Sequence, residues 1–94
     1  MKTQVSIIIV NYKVQEELIN CVTSIVKSRP QISYEIIVVD NDENDKFKKI
    51  LKKKFPKVKY IKSPGNIGYG AGNNLGEKYA RGDYLFFLNP DTLL

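Results

Sequence analysis

Val5-Ser6-Ile7-Ile8-Ile9-Val10, running into Asn11-Tyr12, is the stretch on which the fold turns. Five of its first six residues are β-branched aliphatics, which leaves no polar face for water. Such a run suits a strand covered on both sides, as in a parallel sheet, and not the alternating strand of a half-exposed one. A second run of the same kind, Tyr34-Glu35-Ile36-Ile37-Val38-Val39, closes on Asp40. A third, Val58 to Ile61, is shorter, and the last is Tyr84-Leu85-Phe86-Phe87-Leu88.

Between these strands the apolar spacing switches to helical period. Val14, Leu18, Val22, Ile25 and Val26 share one face, and Pro30 stops that helix. Phe47, Ile50, Leu51 and Phe55 mark a second helix, ended by Pro56. A third has Ala71, Leu75 and Tyr79 as its apolar positions, with Gly82 where a left-handed C-cap would sit. Asn41-Asp42-Glu43-Asn44 is a polar turn rich in capping side chains.

The order βαβαβαβ with short links predicts an α/β fold, a Rossmann-like three-layer sandwich with a mostly parallel four-stranded sheet. Ninety-four residues without repeat, linker or low-complexity tract make one domain, residues 1–94. Ligands of such sheets bind beyond the carboxyl ends of the strands, near the point where strand order reverses. Asn11 and Tyr12, Asp40 to Asp42, and Asn89 to Asp91 are the polar groups the topology collects there.

Composition removes several kinds of chemistry. A lone Cys21 and the absence of histidine exclude a disulfide framework and a Cys/His zinc site. Without histidine, acid/base work falls to carboxylates. No apolar run is long enough to cross a bilayer, and Val5 to Val10 is too short for a signal peptide. The net charge of +5 is local: nine of fifteen basic residues lie between Lys46 and Lys62 with no acid among them. That cluster reads first as a solvated helix face, then as a membrane-surface contact, and last as a nucleic-acid site.

Asp40, ending a buried strand, can accept from a nucleobase N–H or a ribose hydroxyl, or it caps its own turn; on the residues alone both readings stand. Asn89-Pro90-Asp91 is either an ordinary turn or a place for a hard divalent cation. Mg²⁺ or Mn²⁺ takes one or two carboxylates and completes its shell with phosphate oxygens. Asp91 would be the ligand, with Asn89 hydrogen-bonding ribose or phosphate. The glycines from Gly65 to Gly76 permit close backbone approach, and the helix start near Ala71 favours an anion. Gly68, Gly70 and Gly72 follow the third strand and miss the dinucleotide spacing, which disfavours a dehydrogenase. A phospho-receiver is disfavoured too, because the first strand ends in Asn11-Tyr12 and the third in Lys62-Ser63.

Five blocks in order resemble the family 2 glycosyltransferases: Val5 to Tyr12, Leu18-x-x-Cys21-x-x-Ser24-Ile25, Glu35 to Asn41, Asn66-x-Gly68-Tyr69-x-x-Gly72-Asn73-x-x-Gly76, and Gly82 to Asp91. The resemblance implies a GT-A fold and metal-assisted transfer of a sugar from a nucleoside-diphosphate donor to an acceptor hydroxyl. It implies nucleotide contacts at Val10, Asn11, Tyr12, Asp40, Asn66, Gly68 and Asn89, and Mg or Mn on Asp91. Asn89 departs from the family's first Asp. The Asn-Pro-Asp-Thr form is similar to the rhamnosyltransferase-like branch, which points to a UDP- or dTDP-sugar and a saccharide or lipid-linked acceptor in cell-surface polysaccharide synthesis. No nucleic-acid partner is implied, and the setting is cytoplasmic or peripheral to the inner face of the membrane. The family's acceptor base, a later Asp or Glu, is expected beyond Leu94, so no catalytic residue is assigned within 1–94 and transfer by this segment alone is not expected. Its apolar last strand is expected to self-associate as a homodimer. The alternative is a non-catalytic nucleotide-binding or regulatory α/β module.

Overall fold

A computed structural model describes residues 2–42 and 46–92. Its elements are β1 (Val5–Asn11), α1 (Gln15–Ser28), β2 (Tyr34–Asp40), α2 (Lys46–Lys54), β3 (Lys59–Lys62), α3 (Tyr69–Lys78) and β4 (Tyr84–Leu88). The four strands form one parallel sheet in the order β3-β2-β1-β4. The expected α/β architecture is therefore present, with β3 beginning one residue later than the sequence suggests. Glu43 and Asn44 of the expected capping turn lie outside the described residues.

The pleat sorts the apolar runs into two cores. Ile7, Ile9, Ile36 and Val38 face α1 and α2, where they meet Leu18, Val22, Ile25, Phe47 and Leu51. Ile8, Val10, Ile37 and Val39 face the other way and pack with Leu75 and Ala80. Leu18, Ile25, Phe47 and Leu51 are wholly buried, each contributing about 1.5–3 kcal/mol of apolar transfer free energy.

Three local expectations change. In α1 the buried face is Leu18, Cys21, Val22 and Ile25, while Val26 is exposed. Cys21 completes an i, i+3, i+4, i+7 stripe, and the 100° step turns Val26 to its margin. Ile50 of α2 is likewise exposed. In α3 the face against the sheet is Gly72, Asn73 and Gly76, whereas Ala71 and Tyr79 are exposed. Here the helix backbone itself lies on the strands: a Cβ at Gly76 would stand 2.6 Å from Ile8 Cγ2. Gly82 is not a left-handed cap, since α3 ends at Lys78 and only Gly65 and Gly68 among the glycines have positive φ. A Cβ at Gly82 would meet the Ser6 backbone nitrogen at 2.5 Å, so close approach to β1 is what demands glycine there.

A polar cluster ties the amino ends of the strands together. The Ser6 hydroxyl donates to Glu35 Oε2 at 2.6 Å, and so does the Arg81 amide at 2.6 Å. Lys59 Nζ stands 3.6 Å from Glu35 Oε1, and the Gly82 amide donates to Ser6 Oγ at 2.8 Å. Burial alone would raise the Glu35 carboxyl, but the Ser6 and Arg81 donors and the Lys59 charge outweigh it and hold the group below its ordinary range. On the far edge, Tyr84, Leu85, Phe86 and Phe87 of β4 stay 36–72% exposed, leaving both faces of that strand open.

Two outcomes follow for stability. Gly82→Ala should destabilise by about 1–3 kcal/mol through overpacking on backbone, whereas Gly70→Ala, with nothing within 4 Å of the new Cβ, should be neutral or mildly stabilising. Urea unfolding midpoints check the pair. Because the folded Glu35 carboxyl is depressed, its stabilisation is present above the ordinary glutamate range and is lost as pH falls through the folded value. Glu35→Gln should therefore lower stability by about 1–2 kcal/mol near neutrality, a gap that closes on acidification. Unfolding free energies of both proteins across the acidic range measure it.

Candidate functional site

Strand order reverses at β1, with β2 and β3 to one side and β4 to the other. Chain leaving the carboxyl ends of β1 and β4 must part toward different helices, and a crevice opens between them. A cleft of about 590 Å³ lies there, lined by Val10, Tyr12, Val14, Glu17, Asn41, Asn66, Tyr69, Asn89, Pro90 and Asp91. Its wall draws on the ends of β1, β2 and β4, the start of α1 and the link from β3 into α3.

Each segment is held in place locally. Lys13, at a φ of 59°, turns the chain sharply after Tyr12, and its ammonium lies 5.3 Å from the Tyr12 ring centre. Asn66 Oδ1 accepts from the Gly68 amide at 3.2 Å, and Gly68, at a φ of 86°, leads into α3. No side chain caps that helix, so its first-turn N–H groups give the cleft an electropositive margin. After β4, the Thr92 amide donates to the Asn89 carbonyl at 3.0 Å, closing the turn that carries Asp91.

Behind the wall lies a buried polar layer. Asp40 is fully buried, and its Oδ1 accepts from Asn11 Nδ2 at 2.9 Å and from the Asp42 amide at 3.1 Å. Its Oδ2 accepts from the Tyr60 hydroxyl at 2.5 Å and stands 3.8 Å from Lys62 Nζ. Asn11 Oδ1 in turn accepts from the Val14 amide at 3.2 Å, which links the carboxylate to the start of α1.

Of the residues expected at a site, Val10, Tyr12, Asn66, Asn89 and Asp91 are brought together on the cleft wall. Asn11, Asp40 and Gly68 are not: the first two stand one layer behind, and Gly68 shapes the loop. Asn11 and Asp40 continue the pleat face of Ile9 and Val38, and the Tyr60 hydroxyl meets Asp40 in that layer. Glu17, Tyr69 and Val14 line the cleft without having been expected, and Asn41 and Pro90 lie among the strand-end groups expected at this edge. Asn41 Nδ2 donates to the Gly68 carbonyl at 3.1 Å, and its Oδ1 is buried without a partner. Glu17 reads in sequence only as an acid favouring a helix start. Cys21 is no nucleophile: burial raises its thiol, and the charge of Asp91 raises it further.

The described residues contain no group of three or more His, Cys, Asp or Glu able to hold a metal ion. Glu17 and Asp91 are two carboxylates in one cleft, a donor set that suits Mg²⁺ or Mn²⁺ when phosphate oxygens supply the remaining ligands.

Comparison with known proteins bears on this arrangement. Residues 6–94 match the model of glycosyl transferase family 2. The chain is 36% identical over 95 residues to the low-salt glycan biosynthesis hexosyltransferase Agl10 of Haloferax volcanii, covering 97% of this chain and 29% of that protein. It is 36% identical over 96 residues to the poly(ribitol-phosphate) beta-glucosyltransferase of Bacillus spizizenii, covering 97% of this chain and 15% of that one. The chain thus spans less than a third of either relative's length. Crystal structures of S. aureus TarS 1–349 and of TarS 1–349 in complex with UDP-GlcNAc superpose with a TM-score of 0.80 at 26% identity, over 95% of this chain and 28% and 27% of theirs. The parallel sheet and its helices are those of a GT-A fold. With nearly all of its length matched, and its cleft at the strand-order switch, this chain belongs to glycosyl transferase family 2.

Proposed function

We propose that the β1/β4 cleft binds the nucleoside diphosphate of a UDP- or dTDP-sugar, and that residues 1–94 are the nucleotide-sugar-binding portion of a transferase that passes the sugar to an acceptor hydroxyl. The observation that carries the reading is the composition of one wall: two tyrosine rings, Tyr12 and Tyr69, with amide side chains and the Glu17 and Asp91 carboxylates. Rings and Val10 suit a nucleoside; the uncapped start of α3 suits its phosphates. That TarS is known in complex with UDP-GlcNAc supports the donor class.

A divalent metal, when bound, would neutralise charge that builds on the diphosphate as the glycosidic bond to it breaks. Asp91 is the residue that would hold it, with Glu17 a second carboxylate lining the same cleft. Asn89, neutral where a second carboxylate is common in the family, leaves a hydrogen-bonding group for ribose or phosphate. Tyr12 and Tyr69 orient the nucleoside, and Asn66 and Asn41 offer amide groups at the same wall. Asp40 reads the base from behind: the N3–H of uracil or thymine reaches its Oδ2 when the Tyr60 hydroxyl gives up that oxygen. The acceptor would be a saccharide or lipid-linked saccharide of surface polysaccharide synthesis, with the chain in the cytoplasm, where nucleotide sugars are made.

Isothermal titration checks the metal. UDP or dTDP should bind more tightly with Mn²⁺, and Mn²⁺ without nucleotide should bind only weakly. Asp91→Ala should lose the metal-dependent gain, a charge-assisted contact worth about 1.5–3 kcal/mol or roughly tenfold or more in Kd, and keep residual nucleoside affinity. Unchanged metal dependence would remove Asp91 from the role.

Base selectivity checks the Asp40 assignment. The chain should prefer UDP to ADP, since adenine has no donor equivalent to N3–H. Asp40→Asn, whose single carbonyl oxygen remains shared with Asn11, should narrow that preference; equal UDP and ADP affinity in the unaltered chain contradicts the contact.

A further inference from the structure

The end of the sheet opposite the nucleotide cleft carries a second cleft of about 480 Å³, where the carboxyl ends of α1 and α2 approach the start of β2. Val26, Tyr34, Phe55 and Pro56 line it, together with Lys54 and Lys57. Val26 is 45% exposed, Ile50 of α2 is 42% exposed, and Ile32, in the link from α1 to β2, is 47% exposed. Val26 and Ile50 belong to the α1–α2 layer, and Ile32 follows α1 in the chain.

The charges of α2 and β3 are of one sign. The nine lysines between Lys46 and Lys62 have no acid among them, and they are not equivalent. Lys52 is taken by the Val58 carbonyl at 2.5 Å, Lys59 by Glu35 and Lys62 by Asp40. Lys49, Lys53, Lys54 and Lys57 make no ion pair with any described residue. Lys27 and Arg29 add positive charge at the end of α1. Two acids at this end of the sheet are paired, Glu35 with Lys59 and Asp83 with Lys2 at 3.3 Å, and Glu77 lies on α3, in the helical layer on the other face of the sheet.

We propose that this lysine-bearing apolar face docks on an anionic lipid bilayer, with Val26, Ile32 and Ile50 entering the headgroup boundary and the lysine ammoniums at phosphate level. Lysine suits the task, because its stem lies along apolar surface while its head stays at the charged layer. Diffuse attraction to anionic headgroups needs no forked geometry, and no arginine lies in this segment. A single-stranded nucleic acid would instead call for exposed rings to stack on. Phe47 is buried, the Tyr60 hydroxyl is bound to Asp40 and the Tyr34 and Phe55 rings are half-buried, while Val26, Ile32 and Ile50 are exposed and aliphatic. With this end on the membrane, the nucleotide cleft at the other end faces water. The inference is independent of what that cleft binds.

Co-sedimentation of the full chain with phosphatidylcholine vesicles, with and without phosphatidylglycerol, tests the proposal. Binding should require phosphatidylglycerol and weaken steeply with added salt. The combined variant Lys53→Gln, Lys54→Gln, Lys57→Gln should partition roughly 100-fold less, with its circular dichroism unchanged. Val26→Ser with Ile50→Ser should weaken binding while keeping its salt dependence, which a purely electrostatic contact would not show. Binding that ignores phosphatidylglycerol, its absence from anionic vesicles, or an unaffected lysine variant overturns the proposal. Tight capture of an oligonucleotide by a chain that leaves the vesicles unbound overturns it equally and assigns the lysines to nucleic acid.

Discussion

β1 is hydrogen-bonded along both edges, to β2 and to β4, and is covered on both faces by helices. A strand so enclosed has only its ends free, and everything else in the molecule is arranged around that constraint. The apolar run from Val5 to Val10 can satisfy both cores only from a central position. Once it is central, the third helix must cross to the opposite face so that β4 can pair on the remaining edge. The reversal this produces opens the cleft, and the residues at the end of β1 become its floor. Site and fold thus share one cause.

Two polar clusters pin the ends of this arrangement. At the amino end, Glu35 gathers Ser6, Arg81 and Lys59, and so joins β1, β2, β3 and the α3–β4 link. At the carboxyl end, Asp40 gathers Asn11, Asp42, Tyr60 and Lys62. Each is a buried or half-buried carboxylate whose desolvation is offset by several donors, and losing any donor leaves charge without its partner. The carboxyl-end cluster sets the shape of the cleft because Asn11 passes the constraint on to the start of α1.

Much of this was legible in the sequence. Strand runs, helix periods and the βαβ order predict the sheet, and the strand ends predict where the cleft opens. Val10, Tyr12, Asn66, Asn89 and Asp91 line that cleft together. What the residues alone conceal is depth. Asp40 ends a strand just as an exposed ligand-binding carboxylate would, yet it is fully buried and bound by Tyr60 of β3, twenty positions along. Glycine is similarly ambiguous: Gly76 and Gly82 serve close packing on β1, while Gly68 serves a turn, and their letters are identical. Glu17 escaped notice because helix-start acids are common, and its cleft-facing placement depends on how α1 leaves β1.

Under the proposed reading, the cleft serves the donor side of a transfer reaction. Tyrosine rings, amides and two carboxylates converge there from separate segments, at the carboxyl ends of the strands where strand order reverses. Backbone amide shifts on titration with UDP and Mg²⁺ examine this most directly. The account predicts shifts concentrated at residues 10–17, 41, 66–69 and 89–91, with the apolar cleft at Val26 and Phe55 unmoved. Shifts confined to Lys46–Lys62, or none at all, would contradict it.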